Sequence, residues 1–243
     1  MAILTVSREL GASGAYIALK VAEKMGYTCY DQQIINSIAE KMGKEKEQLQ
    51  HFDQNTYNRI GVFFQEALAS LAQGGMVFHP FGLGSLNWDA SEMFSSYPQQ
   101  TFQEKDYYDV LKQVFHELAE KGNAVFLGRG GCQILKNYYN TLHVRIVADY
   151  EVRKKHILEE QSEASVYTSK EESEEFKRLS ATEQNARIEK LIHDWDAASA
   201  NFISDFFDAD WNDPLNYDIV LNTSRIKLDD CVDIIVERLK AFK

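Results

Sequence analysis

The spacing of apolar positions changes from strand-like to helical within the first twenty residues. Residues 2–7, Ala-Ile-Leu-Thr-Val-Ser, form an apolar, β-branched run, which predicts a buried strand. Arg8-Glu-Leu-Gly-Ala-Ser-Gly14 breaks it. From Ala15 onward Ile17, Ala18, Val21, Ala22 and Met25 fall on one helical face, with Gly26 as a C-cap signal. Tyr27–Tyr30 predicts a second short strand, and Asp31 opens a helix with Ile34, Ile35, Ile38, Ala39 and Met42 inward. Further along, a helix is expected over 104–121, with Val110, Leu111, Val114, Phe115, Leu118 and Ala119 on one face. Ala124–Leu127 is a buried strand that runs into Gly128-Arg-Gly-Gly131, and Leu142–Val147 is another, followed by Asp149 as the N-cap of the next helix. A long amphipathic helix is expected over 183–208, then a turn cluster at Trp211–Asn216 and a strand at Tyr217–Asn222. The closing helix, 228–242, presents Leu228, Cys231, Val232, Ile235 and Leu239.

Short strands alternating with helices predict an α/β fold, a five-stranded parallel sheet with helices on both faces. The strand at 2–7 is expected at the centre, between 124–128 and 217–222, with Gly11–Gly14 at its carboxyl end, where ligands bind in such sheets. The whole chain, 1–243, reads as one domain. Within it, helices are expected near 45–51 and 57–73. Residues 74–100 carry glycines and prolines that mark an insertion facing solvent or a partner, and 159–196 is charged enough for exposed helices.

Composition narrows the class of protein. With 44% hydrophobic residues and 26% charged, the chain can bury one sizeable core. A net charge of −11 argues against a broad nucleic-acid footprint but not against a small phosphate ligand, because helix N-termini attract anions locally. Cys29, Cys132 and Cys231 are scattered and suit reduced thiols. The six histidines show no metal spacing, so no structural metal is expected. No signal peptide and no membrane-spanning run is apparent, so a soluble cytoplasmic protein without membrane partners is expected. The aromatics at 57–64 and 202–211 suit packing or a homo-oligomer contact better than a base-stacking platform.

The turn after the first strand invites comparison with a phosphate loop, G-x-x-x-x-G-K-[ST], whose glycines let backbone N–H groups wrap phosphates. Gly11, Ala12, Ser13, Gly14, Ala15 and Tyr16 are the candidate phosphate-binding residues. Aligned on helix phase, Gly14 takes the lysine position and Ala15 that of the Mg²⁺-binding hydroxyl; aligned on the last glycine, Ala15 and Tyr16 do. Neither register supplies the cation or the hydroxyl. A plain strand-to-helix turn with Ser13 as N-cap is the alternative.

The run from Thr5 to Ala18, followed by Tyr30-Asp-Gln-Gln-Ile-Ile35, resembles the opening of the cytidylate kinase-like family, which has a modified loop S-R-x-x-G-S-G-G and then an aromatic-Asp. Phe126-Leu-Gly-Arg-Gly-Gly131, Val144–Arg153 and Trp211–Ser224 resemble later segments of that family in the same order. The resemblance implies a nucleoside monophosphate kinase fold, with 44–105 as an insertion on the acceptor side and 150–212 as a helical lid. It also implies phosphoryl transfer from ATP, with Mg²⁺, to a nucleoside monophosphate or other small phosphorylated acceptor. Asp31 and Arg129 take the acceptor-contacting places, Asp31 alternatively being only an N-cap. Arg8, Arg129 and Arg153 are the candidate catalytic cations. Arg8 alternatively forms an exposed ion pair with Glu9, and Arg153, which opens the lid, alternatively lies on a solvated helix face. The family's lid motif D-x-x-R-x-x-[YF] corresponds here to Asp196-Ala-Ala-Ser-Ala-Asn-Phe202, so Ser199 stands where the arginine belongs. The resemblance therefore leaves two expectations, a kinase-like phosphotransferase and a non-catalytic pseudokinase that senses a nucleotide or binds a partner.

Overall fold

The structure, a computed structural model, describes residues 1–30, 104–162 and 176–242. Five strands form one all-parallel sheet: β1 (Ile3–Arg8), β2 (Thr28–Tyr30), β3 (Ala124–Leu127), β4 (Thr141–Val147) and β5 (Ile219–Asn222), in the order β2-β3-β1-β4-β5. The described helices are α1 (Gly14–Met25), α2 (Glu104–Glu120), α3 (Gly131–Ile134), α4 (Tyr150–Ser162), α5 (Ala181–Phe207) and α6 (Leu228–Lys240). Asp31, the helix expected after it, the helices near 45–51 and 57–73, the stretch 74–100 and the aromatics at 57–64 lie outside the described residues.

Strand β1 is central, as its burial at every residue but the last requires, but its neighbours differ from expectation on one side. It pairs with β3 (Ile3 opposite Ala124) and with β4 (Ile3 opposite Thr141), and β5 lies beyond β4 at the sheet edge. The reason is burial. β4 is covered along most of its seven residues, whereas β5 leaves Val220 43% exposed, which only an edge strand tolerates.

Both faces of the sheet are covered. Ile17, Ala18, Val21 and Ala22 of α1 pack with Val232, Ile235 and Leu239 of α6 on one face. Leu111, Val114 and Phe115 of α2 pack with Phe202 and Ile203 of α5 on the other, where Phe115 stacks on Phe126 at 4.9 Å. A third, smaller cluster joins Ile157 of α4 and Ile188, Leu191, Ile192 and Trp195 of α5 to Leu10, just before the glycine turn. Helix α5 starts on a capping box: the Ser180 hydroxyl accepts from the Glu183 amide, and the Glu183 carboxylate accepts from the Ser180 amide. That Ser-x-x-Glu signal places the helix start two residues before the expected one.

One polar pair sits inside the sheet. His143 of β4 lies opposite Thr5 of β1, with Nδ1 2.7 Å from the threonine hydroxyl. Burial lowers the His143 pKa below its ordinary 6.5, so the folded chain holds a neutral imidazole. The sign follows from linkage: below about pH 6.5 the unfolded chain binds a proton that the folded chain refuses, so this contribution is present above that pH and lost as pH falls. Urea midpoints measured from pH 8 to pH 5 are expected to fall more steeply for the wild-type chain than for His143→Gln. Parallel profiles would contradict this.

Candidate functional site

The register brings the carboxyl ends of β1, β3 and β4 to one edge of the sheet, and the candidate residues gather there. The backbone first turns sharply at Gly11, whose φ of 80° suits glycine. A Cβ on Gly11 would lie 2.7 Å from the carbonyl oxygen of Arg153, so the first turn of α4 rests directly on the glycine turn. Ser13 occupies the N-cap position of α1 but in a left-handed conformation, φ 61°, with no side-chain capping bond. Its hydroxyl instead lies 3.4 Å from Nδ1 of His156. The expected Ser13 cap is thus a positional cap only. His156 Nδ1 also donates to the Gly11 carbonyl at 2.9 Å, and the Thr223 hydroxyl donates to the Ala12 carbonyl at 3.1 Å. Gly11, Ala12, Ser13, Gly14 and Ala15 are all buried, and only Tyr16 is exposed.

The two places at which a loop lysine could stand are closed for physical reasons. A Cβ on Gly14 would meet the Arg8 Cβ at 2.5 Å, and Ala15 is 1% exposed inside the core under α1. A lysine at either position would bury its ammonium or displace the strand end.

Four charged groups beside the turn neutralise one another. Arg153 donates Nε to the Leu10 carbonyl at 2.6 Å and Nη2 to both carboxylate oxygens of Asp196 at 2.8 Å; its Nη1 is 3.5 Å from Glu9. Arg145 donates to the Trp211 carbonyl at 2.6 Å and to Asn212 at 2.8 Å, lies 3.6 Å from Glu9, and stacks over the Trp211 ring at 4.1 Å. Both arginines are buried. The alternative of a solvated helix face for Arg153 does not hold: its side chain is buried and ties α4 to α5 and to the turn. Burial pushes the Asp196 carboxyl above its ordinary pKa, against the pull of Arg153. Glu9 and Asp196 are held by these guanidinium groups, and the loop positions carry no hydroxyl that is placed for Mg²⁺. The described residues therefore do not fit the metal implied by the resemblance.

On the other side of β1 lies a narrow cavity with about 350 Å³ of empty space, including its open mouth. Its walls are Ser7 and Arg8 from β1, the Gly128–Cys132 turn, and Ser199, Phe202 and Ile203 from α5, with Trp211 behind. Arg8 lies over the Trp195 ring at 5.6 Å. Arg129 is buried at φ 53°, between Gly128 (φ 73°) and Gly130 (φ 70°), so three successive residues are left-handed. A Cβ on Gly130 would lie 2.6 Å from the Phe207 ring, which closes α5 over the turn. Ser199 is 1% exposed, and its hydroxyl has no hydrogen-bond partner among the described residues. Cys132, also in the wall, has its thiol pushed up to about 11 by burial, so it is no nucleophile at neutral pH.

Sequence reasoning singled out Arg8, Arg129 and Ser199, and the structure brings these three together around one cavity. It separates Arg153 into the ion-pair network. Arg145, Glu9 and His156 were not singled out. A charged residue inside the buried run Leu142–Val147 was the available signal for Arg145, since such a residue needs partners.

A family model for the cytidylate kinase-like family matches residues 3–225. The chain belongs to the cytidylate kinase-like family. No curated protein matches it. Among solved structures, an uncharacterized protein from Eubacterium ventriosum shares the fold, with a TM-score of 0.58 at 14% identity over 99% of both chains. Shikimate kinase from Bacteroides thetaiotaomicron gives a TM-score of 0.47 at 12% identity over 98% of both chains. Shikimate kinase from Acinetobacter baumannii in complex with shikimate gives 0.43 at 11% identity over 100% of this chain and 95% of that one. The chain is thus a kinase-like protein of that family with an all-parallel α/β sheet, and its glycine turn and Arg129 turn lie at the carboxyl ends of strands, the end at which such sheets bind ligands. Among the described residues no helix is long and apolar enough to cross a membrane.

Proposed function

We propose that this family member binds a phosphate-bearing nucleotide at the carboxyl ends of β1 and β3 without transferring the phosphoryl group. The observation that carries the reading is the separation of charges around the site. Arg8 and Arg129 line the cavity, while the positions that would clamp a moving phosphoryl group are a closed glycine, a buried alanine and a serine. A guanidinium grips a phosphate through paired hydrogen bonds, which gives binding. Transfer needs further positive charge at the transition state, from the loop lysine, Mg²⁺ and a lid arginine. ATP, CMP and CDP are the first ligands to try, and cytoplasmic nucleotide sensing is the role this reading suits.

A thermal-shift series with ATP, CMP, CDP and phosphate tests the binding half. Ligand at 100 times Kd stabilises by about 2.7 kcal/mol, which for a chain of this size is a rise of roughly 5–11 °C. At least one nucleotide should produce it, and Arg129→Asn, which keeps a residue tolerant of positive φ, should abolish it. No shift with any of the four at millimolar concentration would contradict the reading.

A further inference from the structure

The loss of the lid arginine leaves more than a vacancy in charge. Ser199 lies in the middle of α5, 1% exposed, in the cavity wall that also contains Arg8 and Arg129. A serine within a helix ordinarily bonds its hydroxyl to the carbonyl one turn back or points it to water. Here the hydroxyl has no hydrogen-bond partner among the described residues, and a buried hydroxyl left so costs about 1–3 kcal/mol. Alanine would avoid that cost with no loss of helix propensity. The opposite wall is the run of three left-handed residues, Gly128 to Gly130, which carries the buried Arg129 and whose Gly128 N–H is donated to the Val6 carbonyl at 2.8 Å. The space is narrow and opens to solvent at its mouth.

We propose that the Ser199 hydroxyl is a ligand contact, donating, beside Arg8 and Arg129, to a single tetrahedral phosphate group seated in this cavity. The inference rests on the phosphate-binding reading above and adds to it the group that is held and the residue that holds it. A neutral donor suits holding better than transfer. It satisfies one phosphate oxygen in the ground state but supplies no charge to a phosphoryl group in motion. The group can come from inorganic phosphate or from the monophosphate of a nucleotide, and both have the same oxygens.

The test is calorimetric titration of the full chain and of Ser199→Ala with inorganic phosphate, CMP and cytidine. Ser199→Ala removes an unsatisfied buried hydroxyl, so the unliganded variant should melt at or above the wild-type temperature. Affinity for phosphate and for CMP should fall roughly tenfold or more, the worth of a hydrogen bond to a charged group, while any cytidine binding should be unchanged. If CMP alone binds and is weakened, the proposal stands with the nucleotide as the source of the group. If phosphate and CMP bind Ser199→Ala as tightly as wild type, the hydroxyl is no ligand contact, and the nucleotide reading survives without it. A loss for cytidine equal to that for CMP would also overturn the proposal, because the contact would then be to the nucleoside. No heat with phosphate or CMP in the wild-type chain would overturn the proposal, while the nucleotide reading would fall only if ATP and CDP also gave none.

Discussion

A coupled assay of ADP release is expected to show negligible turnover with CMP, UMP, AMP or dCMP as acceptor. Removing a single electrostatic clamp from a transition state commonly costs about 10²–10³ in rate, and an arginine finger alone is worth about 10³–10⁵. This chain lacks both the loop lysine and the lid arginine, and the described geometry leaves little room for substitutes. Arg153 is committed to Asp196, Glu9 and the Leu10 carbonyl. Of the candidate cations only Arg8 and Arg129 line the cavity. Ser199→Arg alone should remain inactive, because no loop cation joins it. Ala15→Lys is not a usable restoration, since Ala15 faces the core under α1 and a lysine there should destabilise the fold instead. Robust wild-type turnover that disappears in Arg129→Asn would refute this account of the chemistry.

The second large effect is structural. Arg153→Ala should destabilise the chain by about 3 kcal/mol, the low end of the range for breaking a buried ion pair, because Asp196 keeps 31% of its side-chain exposure. The substitution removes the two bonds to Asp196 and the bond to the Leu10 carbonyl, and burial already pushes the Asp196 carboxyl toward its neutral form. For this chain length the expected drop in melting temperature is roughly 6–12 °C. The double variant Arg153→Met with Asp196→Leu should recover much of it, since replacing a buried pair by apolar groups is often neutral. A melting temperature for Arg153→Ala within a degree of wild type would show that the pair contributes nothing.

These expectations mark where the sequence was legible. The strand at Ile3–Arg8, the stripe Ile17, Ala18, Val21 and Ala22, and the face of Leu111 to Ala119 follow from periodicity because each packs one side on the sheet. Strand order was less legible. Within 217–222 the run Ile219-Val-Leu221 is as apolar as an inner strand in isolation, and only the burial of β4 shows which run takes the place beside β1. The role of Arg153 was hidden because helix phase cannot show that Gly11 lets the α4 backbone approach close enough to bury its side chain. Ser180-Ala-Thr-Glu183 carried a readable capping signal for α5, two residues before the start that apolar spacing suggested. At the site, Arg8, Arg129 and Ser199 were visible as residues, but their convergence on one cavity depends on the register of β1 against β3 and on where α5 crosses, which no local pattern encodes.

The central claim is binding without transfer, and ³¹P NMR of the full chain mixed with ATP, Mg²⁺ and CMP reads both halves in one tube. The account predicts that phosphate resonances broaden and shift saturably with protein. It also predicts that the ATP γ-phosphate signal persists for hours, with no CDP or ADP appearing. Growth of CDP and ADP resonances at a rate proportional to protein would contradict it, and so would nucleotide signals left sharp and unshifted at millimolar protein.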